Sequence, residues 1–202
     1  MFANDDMDVK IFGKESKNAQ EIENKILLEI DEQHNNGNME LAKRLGRELA
    51  DELLSADSVS QFGCTDEGGD DIDVSFQRRV LFAFCIEVGL EIYAPNPVIA
   101  SSANREFNRY LETEYSDFYK RVMDMGAFSL YYLSLRTQNR ADDAIGEVFA
   151  KLCTGEADER FSSLGRSLFA CFMGVIDKKI KDMGFVGFTD SEADGSLVRE
   201  RG

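Results

Sequence analysis

Apolar residues recur along this chain at spacings of three and four, the period of one helical face, and no stretch alternates long enough to predict a strand. Ser16 opens a predicted first helix whose inner face carries Ile22, Ile26, Leu27 and Ile30. The run His34-Asn35-Asn36-Gly37-Asn38 holds the turn-forming residues that end it. A second helix follows over 39–54, with Leu41, Ala42, Leu45, Leu49 and Leu53 as its stripe. A short turn between two amphipathic helices folds them back on each other, so 16–55 reads as a helical hairpin.

From 56 to 72 the periodicity is lost to Ser, Asp and Gly, and the chain reads as an acidic, Gly-rich loop. A third helix is predicted from Asp73 to Tyr93, ahead of Pro95-Asn96-Pro97. It is apolar almost all round, the mark of a helix at the centre of a globule. Further helices are predicted over 98–113, 116–136 (as one long helix), 141–153 and 158–183. The reading is therefore all-α: a bundle of five to seven mostly antiparallel helices in all, counting the N-terminal helical hairpin, with the bundle proper over 73–188. Polar tails flank it at 1–15 and 189–202. Phe82, Cys85, Ile86, Val88, Leu90, Leu168, Phe169, Phe172 and Ile176 are the expected core.

Charge divides the chain unevenly. Residues 1–76 hold 19 acidic and 7 basic side chains, 77–137 are balanced, and the whole chain carries −15. That surface repels phosphate, which argues against nucleic acid as a partner. Residues 1–13 have no apolar run of the signal-peptide kind, and the longest apolar stretch, Val80 to Ala94, is interrupted by Glu87 and Glu91. Bilayer crossing takes about 20 apolar residues, so no membrane span is expected. Cys64, Cys85, Cys153 and Cys171 are far apart and form no Cys-x-x-Cys, which fits reduced thiols and a cytoplasmic protein.

Little catalytic chemistry is assembled. The single histidine, His34, sits in an Asn/Gly-rich turn, where it reads as a solvated helix-end residue. No phosphate-binding glycine loop, metalloprotease motif or nucleophile elbow occurs, and no cofactor is implied. Glu87 and Glu91 are the sharpest anomaly, since a carboxylate buried alone costs several kcal/mol and must be exposed, paired or metal-bound. Four residues apart, the two could share one divalent ion, with Glu106 or Asp124 as further ligands. A narrow solvent stripe or ion pairs to Arg105, Arg109, Arg121 or Arg136 explain them more simply. Asp66, Asp70, Asp71 and Asp73 around Gly68-Gly69 lack the spacing of a calcium loop and read as loop and cap residues. Tyr110, Tyr131, Tyr132 and Arg136 could line a pocket for a small anionic or aromatic molecule, although aromatic stripes more often fill cores.

Three functions follow in order of support. The first is a non-enzymatic module that binds another protein or a second copy of itself, because a two-helix hairpin has too little core to stand alone and must dock somewhere. The second is a small-molecule-binding bundle using the tyrosine and arginine set. The third is a divalent-metal enzyme built on Glu87 and Glu91.

Overall fold

The computed structural model describes residues 12–55, 72–137 and 140–187. Within them the chain is helical and has no strand. Eight helices are present: α1 (Phe12–Asn35), α2 (Asn38–Leu54), α3 (Ile72–Tyr93), α4 (Pro97–Glu114), α5 (Ser116–Met125), α6 (Ala127–Thr137), α7 (Ala141–Thr154) and α8 (Glu159–Asp182). No helix of the described residues is long and apolar enough to cross a membrane.

Helix α3 is the spine. The consecutive residues Val80 to Ile86 are all buried, which is possible only when neighbours cover every side of a helix. Those neighbours are α2, α4, α6, α7 and α8. Phe82 stacks on Phe172 of α8 with centroids 4.5 Å apart. Of the expected core, only Phe169 lies half-buried on the rim; the other eight residues are buried.

The local signals account for most helix ends. Asn96 caps α4, its Oδ1 accepting from the Ile99 amide at 2.9 Å, and Pro97 takes the first helical position, where no amide is needed. The Asp158 carboxylate accepts from the Arg160 and Phe161 amides at the start of α8. Helix α1 begins at Phe12, so Ser16 lies inside it instead of capping it. The long helix predicted over 116–136 is two helices. Gly126, at φ 63°, takes the left-handed conformation that terminates α5, and α6 starts afresh at Ala127. This break carries the number of described helices past the five to seven expected.

Helix α2 is built into the bundle. Ala42, Leu45, Leu49 and Leu53 are fully buried, and the helix packs against α3, α4 and α8. Gly46 brings α2 so close to α4 that an added Cβ would strike the Ala103 carbonyl oxygen and lie 2.9 Å from the Phe107 amide nitrogen. Beside this contact, Glu106 of α4 binds both Arg47 of α2 at 3.1 Å and Arg109 through two bonds of 2.6 and 2.8 Å. Helices α7 and α8 meet just as closely at Gly146 and Gly165, where a Cβ on Gly146 would stand 2.5 Å from the Ser162 carbonyl oxygen.

At the α1–α2 corner the buried Asn38 side chain donates to Gln33 Oε1 at 2.7 Å and to the Val186 carbonyl at 3.0 Å, and accepts from the Val186 amide at 2.9 Å. The segment after α8 is thereby fastened to the corner, with Met183 and Phe185 buried beneath it.

Candidate functional site

Glu87 and Glu91 occupy the outer edge of α3. Glu87 is half-buried and Glu91 exposed. The Tyr132 hydroxyl of α6 donates to the Glu87 carboxylate. Burial raises the Glu87 pKa above the usual carboxylate range, the hydrogen bond from Tyr132 opposes that rise, and the neighbouring Glu91 adds to it. Burial likewise pushes the Tyr132 pKa well up, helped by the two carboxylates. Glu87 is thus held by a tyrosine, where the sequence suggested a solvent stripe or arginine pairs. Glu91 edges a shallow hollow of about 270 Å³ with Pro97, Ala100, Ser101 and Asn104, which brings no further charged group.

Among the described residues, no third ligand for a shared metal ion stands beside Glu87 and Glu91. Glu106, one of the proposed additional ligands, has both carboxylate oxygens engaged by Arg47 and Arg109, and its pKa is lowered, chiefly by the Arg109 hydrogen bond. Asp124 is exposed on α5. Among the described residues no three His, Cys, Asp or Glu side chains gather to hold an ion. Cys64, the carboxylates Asp66, Asp70 and Asp71, and the side chain of Asp73 lie outside the described residues.

The four candidate pocket residues are placed differently from one another. Tyr131 has no exposed surface, stacks on Phe84 at 4.8 Å, and its hydroxyl has no hydrogen-bond partner. Tyr132 meets the same Phe84 edge-on at 5.1 Å. The adjacent pair therefore splits as their 100° offset dictates, one ring in the core and one at its edge. Tyr110 makes its contacts at another place, donating to Asp51 of α2 and packing near Tyr115. Arg136 is exposed on the last turn of α6. His34 is exposed on the last turn of α1.

A polar cleft of about 520 Å³ is lined by Thr137, Arg140, Asp143, Glu147, Glu159, Ser162 and Arg166. Its cations are matched internally. Arg140 pairs with Asp142 and Asp143 at 3.1 and 3.2 Å, and Arg166 with Glu159 at 2.6 Å and Asp143 at 3.7 Å. An anion entering there would have to displace carboxylates already bound.

A different feature dominates the surface. The apolar face read from the sequence of α1 is open to solvent: Ile22 is 58% exposed, Ile26 47%, Leu27 59% and Ile30 36%. Leu28, on the far side of the helix, is 69% exposed. Between residues 20 and 35 only Gln33 is buried and only Glu29 half-buried. Helix α1 meets α2 and α4, and the burial of Gln33 together with its bond to Asn38 places its hold on the bundle at its C-terminal end. A smaller exposed group, Met123 and Met125 of α5 with Leu130 and Leu133 of α6, lies on helices otherwise packed into the bundle. The sequence reading found the α1 face; what it lacked was any sign that the bundle would leave that face uncovered. No known protein family, curated protein or solved structure matches the chain.

Proposed function

We propose that this protein is a non-enzymatic interaction module that engages another protein through the apolar face of α1. One observation carries the reading. Four large aliphatic side chains share one face of a helix anchored to the bundle near its C-terminal end, and packing among the described residues leaves them in water. At about 25 cal/mol per Å² of apolar surface, an open stripe of this kind favours whatever covers it, and contiguous exposed apolar patches mark interaction surfaces. In this reading α1 and α2 form the acidic helical hairpin expected from the sequence. The α2 arm serves as the root within the 73–188 bundle, and α1 is the arm held out for a partner. The protein works in the cytoplasm, where its scattered thiols remain reduced.

The test is photo-crosslinking in the cells that make the protein, with benzoylphenylalanine replacing Ile26 and, as control, the exposed Glu112 of α4. A discrete polypeptide adduct is expected from position 26 and none from 112, and it should vanish when Ile22 and Leu27 are both changed to Ser. A position-26 probe that captures no polypeptide, a second copy included, overturns the reading.

A further inference from the structure

The charges around the α1 stripe say what kind of chain should cover it. At roughly 100° per residue, Ile22, Ile26, Ile30 and Leu27 spread across one side of α1. Glu23 falls within that arc, Glu29 adjoins it on the Ile22 side, and Asp31 adjoins it beyond Leu27. Glu21 and Glu32 extend the negative surface around the back, and Lys25 is the only lysine or arginine between residues 20 and 35. Each of these carboxylates is exposed except Glu29, which is half-buried. None of them has an ion pair among the described residues.

We infer that the α1 stripe receives a basic amphipathic helix of a different protein, one with aliphatic residues at three- and four-residue spacing and Lys or Arg beside them. The proposal rests on the reading of α1 as a docking surface and narrows it to one class of partner. Ile22 to Ile30 cover about 12 Å at 1.5 Å per residue, so a partner helix of about four turns spans the stripe with its flanking charges. Aliphatic side chains supply non-directional attraction, while the carboxylates decide the sign of the accepted partner and speed its approach. A second copy fits poorly. Pairing two α1 stripes sets Glu23, Glu29 and Asp31 against their own equivalents, and each copy brings a charge of −15. An anionic lipid surface is disfavoured for the same reason.

The experiment uses the full chain and two fluorescein-labelled peptides of about four helical turns. One carries isoleucines at helical spacing flanked by lysines; the other has glutamates in place of the lysines. Binding is followed by anisotropy at roughly 50 and 500 mM salt, where the screening length falls from about 14 to 4 Å, and the mass of the chain by light scattering. A monomer is expected. The basic peptide should bind at least about tenfold more tightly than the acidic one at low salt, a difference of about 1.4 kcal/mol, and most of that preference should disappear at high salt. Ile26→Asp should weaken binding of the basic peptide by a similar factor at unchanged Tm, and the triple change Glu23→Lys, Glu29→Lys, Asp31→Lys should reverse the preference. A dimer that Ile26→Asp dissociates, or equal binding of the two peptides, overturns the basic partner while the docking role of α1 stands. If the basic peptide does not bind, the partner class is wrong; if the Ile26 photoprobe is silent as well, the docking role falls with it.

Discussion

Tyr131 and Glu87 sit on facing helices and show opposite ways of handling a polar group near the core. Tyr131 buries its ring against Phe84 and leaves its hydroxyl without a partner. A buried hydroxyl with no hydrogen bond costs about 1–3 kcal/mol by mutational measures, so removing it should help. Tyr131→Phe is expected to raise the Tm by about 2–6 °C for a chain of this size, measured by differential scanning calorimetry. A fall in Tm would show that the hydroxyl is satisfied after all. Glu87 keeps a partner, Tyr132, but burial still favours its protonated form. Its folded-state pKa lies above the unfolded value, so its contribution is most favourable below the unfolded pKa and is lost as the pH rises through the folded one. Glu87→Gln keeps an acceptor for Tyr132 and removes the charge. It should raise the Tm by about 1–2 °C at neutral pH and make no difference once the wild-type carboxyl is protonated in both states. A benefit that persists unchanged into acid would contradict this. Neither residue's fate was fully legible in the sequence. The spacing of Tyr131 and Tyr132 sets their rings about 100° apart, and both meet Phe84, one within the core and the other half-buried at its edge. Which ring would be buried depended on where α3 lies.

Between helices, contact distance is set by what is absent. Gly46 lets the α2 and α4 backbones approach until the nearest atoms to an added Cβ are a carbonyl oxygen and an amide nitrogen, neither of which can swing aside as a side chain would. Gly46→Ala is therefore expected to cost about 2 kcal/mol and to lower the Tm by about 4–8 °C. Thermal unfolding checks it, and an unchanged Tm would mean that the two helices can separate without loss. The same closeness explains how Arg47 reaches Glu106 across the interface. Helix identity was well marked in the sequence because caps and periodicity are local. Asn96-Pro97 and Asp158 open α4 and α8 as local chemistry predicts. The break at Gly126 escaped because a glycine inside an apolar period can either continue a helix or end it in the left-handed region. Hydrophobic spacing on both sides looked continuous; beyond the break, Phe128 and Tyr131 both pack on Phe84.

Across the whole molecule, the corner at Asn38 joins residues 148 positions apart. Removing that amide takes from Gln33 its buried partner and from both part-buried backbone groups of Val186 theirs. Asn38→Ala is expected to destabilise the protein by about 2–3 kcal/mol and to speed amide exchange over 183–187 far more than in α3. Uniform acceleration throughout would instead mean that the corner opens only with global unfolding. The α1 stripe should behave in the opposite way. Ile22→Ser with Ile26→Ser removes large aliphatic groups, yet Tm should stay within about 2 °C because their surroundings in the folded chain are already mostly water. A drop of about 8 °C or more would place the stripe inside a core and remove the basis for a partner.

Local and pairwise information, which the chain carries in order, determined that it is helical, where most helices begin and end, and that the segment around Cys85 is the spine. An all-round apolar helix has no stable position other than the centre, so α3 needed no further instruction. Tertiary structure alone decided which amphipathic faces would be covered. The faces of α1 and α2 are similar in kind, and burial went to α2 because Gly46 and the Leu45-Leu49-Leu53 row allowed close packing on α3 and α4. Once that space was filled, the Asn36–Gly37 turn left α1 held to the bundle through Gln33 near its C-terminal end, with the rest of its described side chains mostly exposed. Whether an apolar stripe is core or docking surface is settled by the space left beside it, and that space belongs to the assembled helices, not to any one of them.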